Sequence, residues 1–127
     1  MNPEIENDLR LAVAALAEAR IMAREGMWKS AVNSSYNAGY FAALAAVKES
    51  GAAPKTHAAV RERFKERLIG KSGGMDASCA EALDALYVAK AETLRGPSVD
   101  WSREAVTRIV ESAAHLVAAV ESRCEGR

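Results

Sequence analysis

Residues 27–47 read MWKSAVNSSYNAGYFAALAAV, and this stretch decides the fold. From Ala38 to Val47 it is apolar on every side, the mark of a helix buried all round. Ser34, Ser35, Ala38, Gly39, Ala42, Ala43 and Ala46 are small, so neighbouring helices can approach closely. Asn33, Tyr36, Asn37 and Tyr40 fall at i, i+3, i+4 and i+7 and share one stripe. Buried amides and phenols need partners, because an unpaired buried polar group costs roughly 1–3 kcal/mol. The stripe is either a set of ties that fixes the register of a bundle or the wall of a functional site.

Upstream, Asn2 and Pro3 suit a helix start, and Glu4 and Glu6 favour its positive end. The first helix is expected over Pro3–Glu25, with Ile5, Leu9, Ala12, Val13 and Leu16 as its apolar face. Gly26 ends it, and the short connection predicts an antiparallel pair with the second helix. That helix stops at Ser50-Gly51, before Pro54.

Downstream, Thr56 is a good cap for a third helix reaching Ile69, with Val60, Phe64 and Leu68 at i, i+4 and i+8. The intervening Arg61, Glu62, Arg63, Lys65, Glu66 and Arg67 are of mixed sign and read as a solvated face. Gly70-Lys71-Ser72 has the look of the tail of a phosphate-binding P-loop. The motif requires a glycine where Lys65 stands, and a preceding strand, so the segment reads as a loop. A fourth helix is expected from Asp76 to Leu94, facing the core with Ala80, Leu83, Leu86, Tyr87 and Leu94. Arg95-Gly96-Pro97 breaks it and Ser98–Asp100 leads on. Asp100 or Ser102 then caps a fifth helix to Arg123, whose wide apolar face holds Val106, Ile109, Val110, Ala113, Leu116, Val117 and Val120. His115 falls between core positions and is read as structural. No segment alternates with the period of a strand. The predicted architecture is all-α: one domain, residues 1–127, an antiparallel up-and-down bundle of four long helices plus a shorter fifth.

Charge narrows the function. Lys plus Arg equals Asp plus Glu at 17 each, so there is no global basic field of the kind that marks many nucleic-acid binders, and no DNA partner is predicted. The apolar runs are too short for a membrane span. The start, MNPEIENDLR, lacks a secretory pattern. Cys79 and Cys124 are too few for a disulfide framework or a metal site. Cys79 is expected in a helix as a small apolar residue and Cys124 near a frayed end. No cofactor or metal is expected, and the predicted setting is a reducing cytoplasm.

Three segments carry a resemblance. Ala31-Val32-Asn33-Ser34-Ser35-Tyr36-Asn37-Ala38, followed by Phe41 and Ala42, resembles the second-helix signature of small prokaryotic HEPN-domain proteins. Gly51-x-x-Pro54-Lys55-Thr56-His57-x-x-Val60, then Phe64, resembles the KTH segment of the same branch, and is the most specific of the three. Leu94-Arg95 and Asp100-Trp101 resemble its closing element. Together they cover roughly residues 27 to 120. Asn37 departs from a frequent tyrosine, Gly39 from a bulky apolar residue and Trp101 from a tyrosine. The resemblance implies a helical bundle that dimerises, with a site near the C-terminal end of the fourth helix. It also implies partnership with a small nucleotidyltransferase in a toxin–antitoxin-like pair. Nuclease members carry an arginine, four to six residues, then a histidine, and two copies cleave RNA without a metal. Here Arg95 is present, and Asp100 stands five positions later in place of that histidine.

The chemistry bears on this difference. Arginine offers a planar fork that fits phosphate oxygens. Histidine suits proton shuttling because its reference pKa lies near 6.5. Aspartate, with a reference value of about 3.9, can accept a proton at pH 7 but hardly donate one. Asp100 therefore reads as a helix cap pairing with Arg95, or as a weak substitute base. His57 is the other candidate acid/base. Lys55, Thr56 and His57 open the third helix, where backbone amides favour an anion. They read either as a phosphate cradle or as a plain cap with a histidine bonded to a neighbouring helix. Two functions follow. One is a module that binds nucleotide or RNA through Arg95, Asn33, Tyr36, Lys55 and Thr56 and works beside a nucleotidyltransferase. The alternative is a metal-independent endoribonuclease using Arg95 with Asp100 or His57.

Overall fold

The computed structural model describes residues 2–95 and 100–125. The expected break at Gly96-Pro97 and the connection through Ser98 lie outside the described residues. Five α-helices follow in order: α1 (Pro3–Arg24), α2 (Trp28–Glu49), α3 (His57–Leu68), α4 (Ala77–Thr93) and α5 (Arg103–Glu125). The fold class is as expected, all-helical with four long helices and a short one, α3, of 12 residues.

Local chemistry explains the ends. The Asn2 side chain accepts from the Glu4 amide at 2.7 Å, Thr56 from Ala59 at 3.0 Å and Asp76 from Ser78 at 2.9 Å. Each satisfies an amide that the first helical turn leaves unpaired. Of the two candidates for capping α5, Ser102 does so, accepting from Ala105 at 3.1 Å. Gly26 sits at φ 75° just past α1, a left-handed conformation that glycine adopts without strain. The glycine-rich segment, expected as a loop, carries some regular structure. It holds one 3₁₀ turn at Gly70–Ser72, and an isolated bridge joins Ile69 to Met75. That bridge takes Ile69 out of the third helix.

Helix α2 packs against all four other helices. Twelve of its residues are buried, half of them alanines. A Cβ at Gly39 would lie 2.2 Å from Leu86 Cδ1, so the α4 leucine occupies the space that a larger residue at this position would need. Lys48 near the end of α2 reaches Asp8 near the start of α1, and Asn33 near the start of α2 meets Lys90 near the end of α4. Both pairs run antiparallel. The orientation of α3 is different. Its start lies beside Tyr40 and its end beside Ser50, so it runs alongside α2 in the same direction. The non-helical segment 51–56 makes this possible by carrying the chain back along α2. That return places His57 against the polar stripe.

The core matches the expected faces of α3 and α5: Val60, Phe64, Leu68, Val106, Leu116 and Val120 are all fully buried. Three expectations fail. Val13 is 44% exposed, because α1 turns its buried line toward Ala12, Leu16 and Ala19 instead. Leu94 is 74% exposed, because it caps α4 beyond the last helical turn. Cys124 is buried although it lies near the chain end, because α5 persists to Glu125.

Candidate functional site

The stripe on α2 meets α3 on one side and α4 on the other. Tyr36 is buried and its hydroxyl bonds His57 Nδ1 at 2.6 Å. Tyr40 stacks on the His57 ring with centroids 4.0 Å apart. Tyr87 of α4 donates its hydroxyl proton to the His57 carbonyl and meets the Tyr36 ring edge-on at 5.1 Å. Tyr87 has spent its one proton on that carbonyl; where the Tyr36 hydroxyl donates to Nδ1, the neutral histidine carries its proton on Nε2. The ring of His57 is thus oriented by α2 and its backbone by α4, while the residue itself stays exposed.

One helical turn toward the start of α2, Asn33 Oδ1 accepts from Lys90 at 2.9 Å and from Thr93 at 3.4 Å. Lys90 also lies over the Tyr36 ring at 5.7 Å. On α3, Arg61 bonds Asp84 at 2.7 Å and sits over the Tyr87 ring at 5.0 Å. Lys65 bonds the same Asp84 oxygen at 2.6 Å. Burial alone would raise the Asp84 carboxyl, but hydrogen bonds from Lys65 and Arg61 outweigh it and hold the group below the usual carboxylate range.

The remaining candidates are separated from this cluster. Arg95 is exposed and pairs with Glu92 at 3.3 Å, not with a capping Asp100. Asp100 is exposed too, across residues 96–99. Lys55 and Thr56 are exposed, with the Thr56 oxygen used as a helix cap. Arg95 follows Tyr87 by eight residues and lies two residues past the end of α4 at Thr93, the helical part of that span being about 9 Å at 1.5 Å per residue. The structure therefore joins Tyr36 to His57, sets Asn33 beside the last turn of α4, and leaves Arg95 just past the end of that helix. Asn37 of the stripe is exposed. Among the described residues, no group of three or more His, Cys, Asp or Glu is placed to hold a metal ion, and no helix is long and apolar enough to cross a membrane.

Sequence reading missed Tyr87, Lys90, Arg61 and Asp84. Tyr87 was assigned to the core, and Arg61 to a solvated face. Their partners are far along the chain, 30 residues for Tyr87 and His57, and 57 for Lys90 and Asn33. No local spacing announces such pairs.

Burial pushes the Tyr36 phenol up, and the neighbouring Tyr40 adds to the effect. Burial also pushes up Tyr40 and, most of all, Tyr87, with Tyr36 adding to the effect. These groups hold their protons more tightly folded than unfolded. Their contribution to stability is complete below the unfolded tyrosine value of about 10 and is lost as pH rises through the elevated folded values. Urea midpoints should fall above about pH 10, and Tyr87→Phe should flatten that fall. An alkaline limb unchanged by Tyr87→Phe would contradict this account.

The site thus sits where a central helix with one polar seam is met by a short helix that opens at a histidine, in an all-helical bundle. The chain belongs to the HEPN domain family, which it matches over residues 5–123. No curated protein matches it.

Proposed function

We propose that this protein is a HEPN helical module that binds a nucleotide or RNA phosphate at Arg95, with Asn33 and Tyr36 lining the approach. It acts as a homodimer in the cytoplasm, beside a small nucleotidyltransferase in a toxin–antitoxin-like pair. The observation that carries this reading is the state of Arg95. Its side chain is 71% exposed and its partner, Glu92, is held at 3.3 Å. Exposed ion pairs of this kind are worth about 0–1 kcal/mol, so a phosphate can displace Glu92 at small cost. Lys90 adds a second cation one turn back, fixed by Asn33. Hydrogen bonds to charged groups are worth roughly 1.5–3 kcal/mol. Arg95→Ala should therefore weaken binding of ATP or short single-stranded RNA by about 10- to 150-fold at low salt. Equal affinities for two folded proteins would place the site elsewhere.

The second reading, a metal-independent ribonuclease, is favoured by the oriented His57. As the imidazolium, the ring can give its Nε2 proton to a leaving oxygen and return to the neutral form. Arg95 lies about two helical turns along the chain from Tyr87, which holds the His57 carbonyl, and this spacing favours an Arg95 and a His57 from different protomers. Cleavage would need a composite site across the dimer. If RNA is cut, cutting should survive EDTA and be lost in both Arg95→Ala and His57→Ala. Cleavage that needs Mg²⁺ would contradict this reading.

A further inference from the structure

We propose that the cavity between α3 and α4 is a receptor for a single unpaired nucleobase, separate from the phosphate contact at Arg95. The cavity measures about 450 Å³ and is lined by Tyr36, His57, Ala58, Arg61, Lys65 and Tyr87, with Glu62 also on its wall. That volume lies in the range of small-ligand pockets, roughly 300–1,000 Å³. Arg61 and Tyr87, both in its lining, carry flat groups. Arg61 is held through Nε by Asp84 and lies over the Tyr87 ring, so its plane is fixed before any ligand arrives. Unpaired RNA bases are held in this way, stacked on aromatic rings or on arginine planes.

Charge argues for a base over an isolated phosphate. Arg61 and Lys65 share the carboxylate of Asp84, and Glu62 offsets much of the remaining charge. The Tyr36 and Tyr87 hydroxyls are already committed to His57. What remains is a stacking surface with arginine donors beside it, which suits a flat ring with an acceptor edge. A base paired in a duplex cannot enter. The source is a strand of RNA or a free mononucleotide, since both carry the same ring.

The inference rests on the proposed function only for the path of a strand, which would run along α4 from the cavity toward Arg95. The test uses the full chain with two fluorescent probes: a single-stranded RNA hexamer containing one 2-aminopurine, and 2-aminopurine riboside monophosphate. Stacking should quench the base. Arg61→Leu removes one face, and Ala58→Trp fills the cavity without removing any donor. Each should weaken quenching by about 5- to 150-fold, the range for losing one stacked base. Quenching of both probes points to a free nucleotide; quenching of the hexamer alone points to a strand. Arg95→Ala serves as the separating control. If Arg95→Ala weakens binding while Ala58→Trp does not, the base receptor is overturned and the phosphate site stands. If Ala58→Trp abolishes quenching and Arg95→Ala leaves affinity unchanged, the receptor stands and the phosphate site fails. No quenching of either probe by the wild type overturns the receptor.

Discussion

Phe64→Ala is expected to cost about 3–5 kcal/mol of stability, the usual range for emptying a buried aromatic site. Helix α3 buries only Val60, Phe64 and Leu68, all with no exposed surface. Phe64 is the largest of the three and the middle anchor. The other positions of α3 are mostly charged and face outward. A helix of 12 residues is marginal on its own in water, so α3 stays helical because this one stripe docks. Domains of this size have about 5–15 kcal/mol in total, so the variant should approach the threshold of folding. The loss should begin locally. Amides of α3 should exchange faster than those of α2, and the Tyr36–His57 bond should loosen with them, because His57 rides on α3. Urea unfolding followed by circular dichroism gives the total, and hydrogen exchange gives the location. A loss below about 1 kcal/mol, under the usual range for such a truncation, would mean that α3 is not anchored through Phe64.

That anchor was legible in the sequence, for a reason that also marks where legibility ends. Val60, Phe64 and Leu68 repeat every four residues with charges between, so period alone assigns the buried side. The caps at Asn2 and Thr56 were legible for the same kind of reason, because a cap is bonded to its own first turn. Leu94 was misplaced because periodicity does not say where a helix stops, and one residue past the end the geometry lapses. Val13 was misplaced because α1 has apolar residues on more than one side, and only the neighbouring helices choose among them. The site was half legible. The stripe through Asn33, Tyr36 and Tyr40 is a feature of one helix, and the start of α3 supplied His57. That the two meet depends on segment 51–56 running back along α2, which no local pattern encodes. The α4 contribution, Tyr87 and Lys90, looks in sequence like any polar residue on a helix. The direction taken by α3 turned a list of candidates into a cluster.

Lys48→Met is expected to cost about 3 kcal/mol, near the lower end of the range for breaking a buried ion pair. Lys48 Nζ lies 2.8 Å from Asp8 and 2.6 Å from Glu4. The Asp8 side chain is only 8% exposed, against 22% for Lys48 and 68% for Glu4. The two partners therefore fail differently. Without the lysine, Asp8 is a carboxylate shut away from water with no cation. Without the aspartate, Lys48 keeps Glu4 and its long stem can carry the ammonium toward solvent. Asp8→Leu should thus cost less than Lys48→Met. The double variant should recover most of the loss, because an apolar pair of similar volume replaces a buried ion pair at little or no cost. The pH dependence has a definite sign. Burial alone would lower the Lys48 ammonium, but hydrogen bonds to Asp8 and Glu4 outweigh it and hold the group above its ordinary 10.5. Its contribution is therefore complete at neutral pH and is lost only as pH rises through that raised value. The clamp joins the start of α1 to the end of α2, at the opposite end of the bundle from Arg95. At temperatures where Lys48→Met is still folded, it should bind the 2-aminopurine hexamer as the wild type does. A double-mutant cycle at neutral pH reads the coupling directly. Additive losses would show that the pair does not hold α1 to α2, and reduced hexamer binding by the folded variant would show that the two ends of the bundle are coupled.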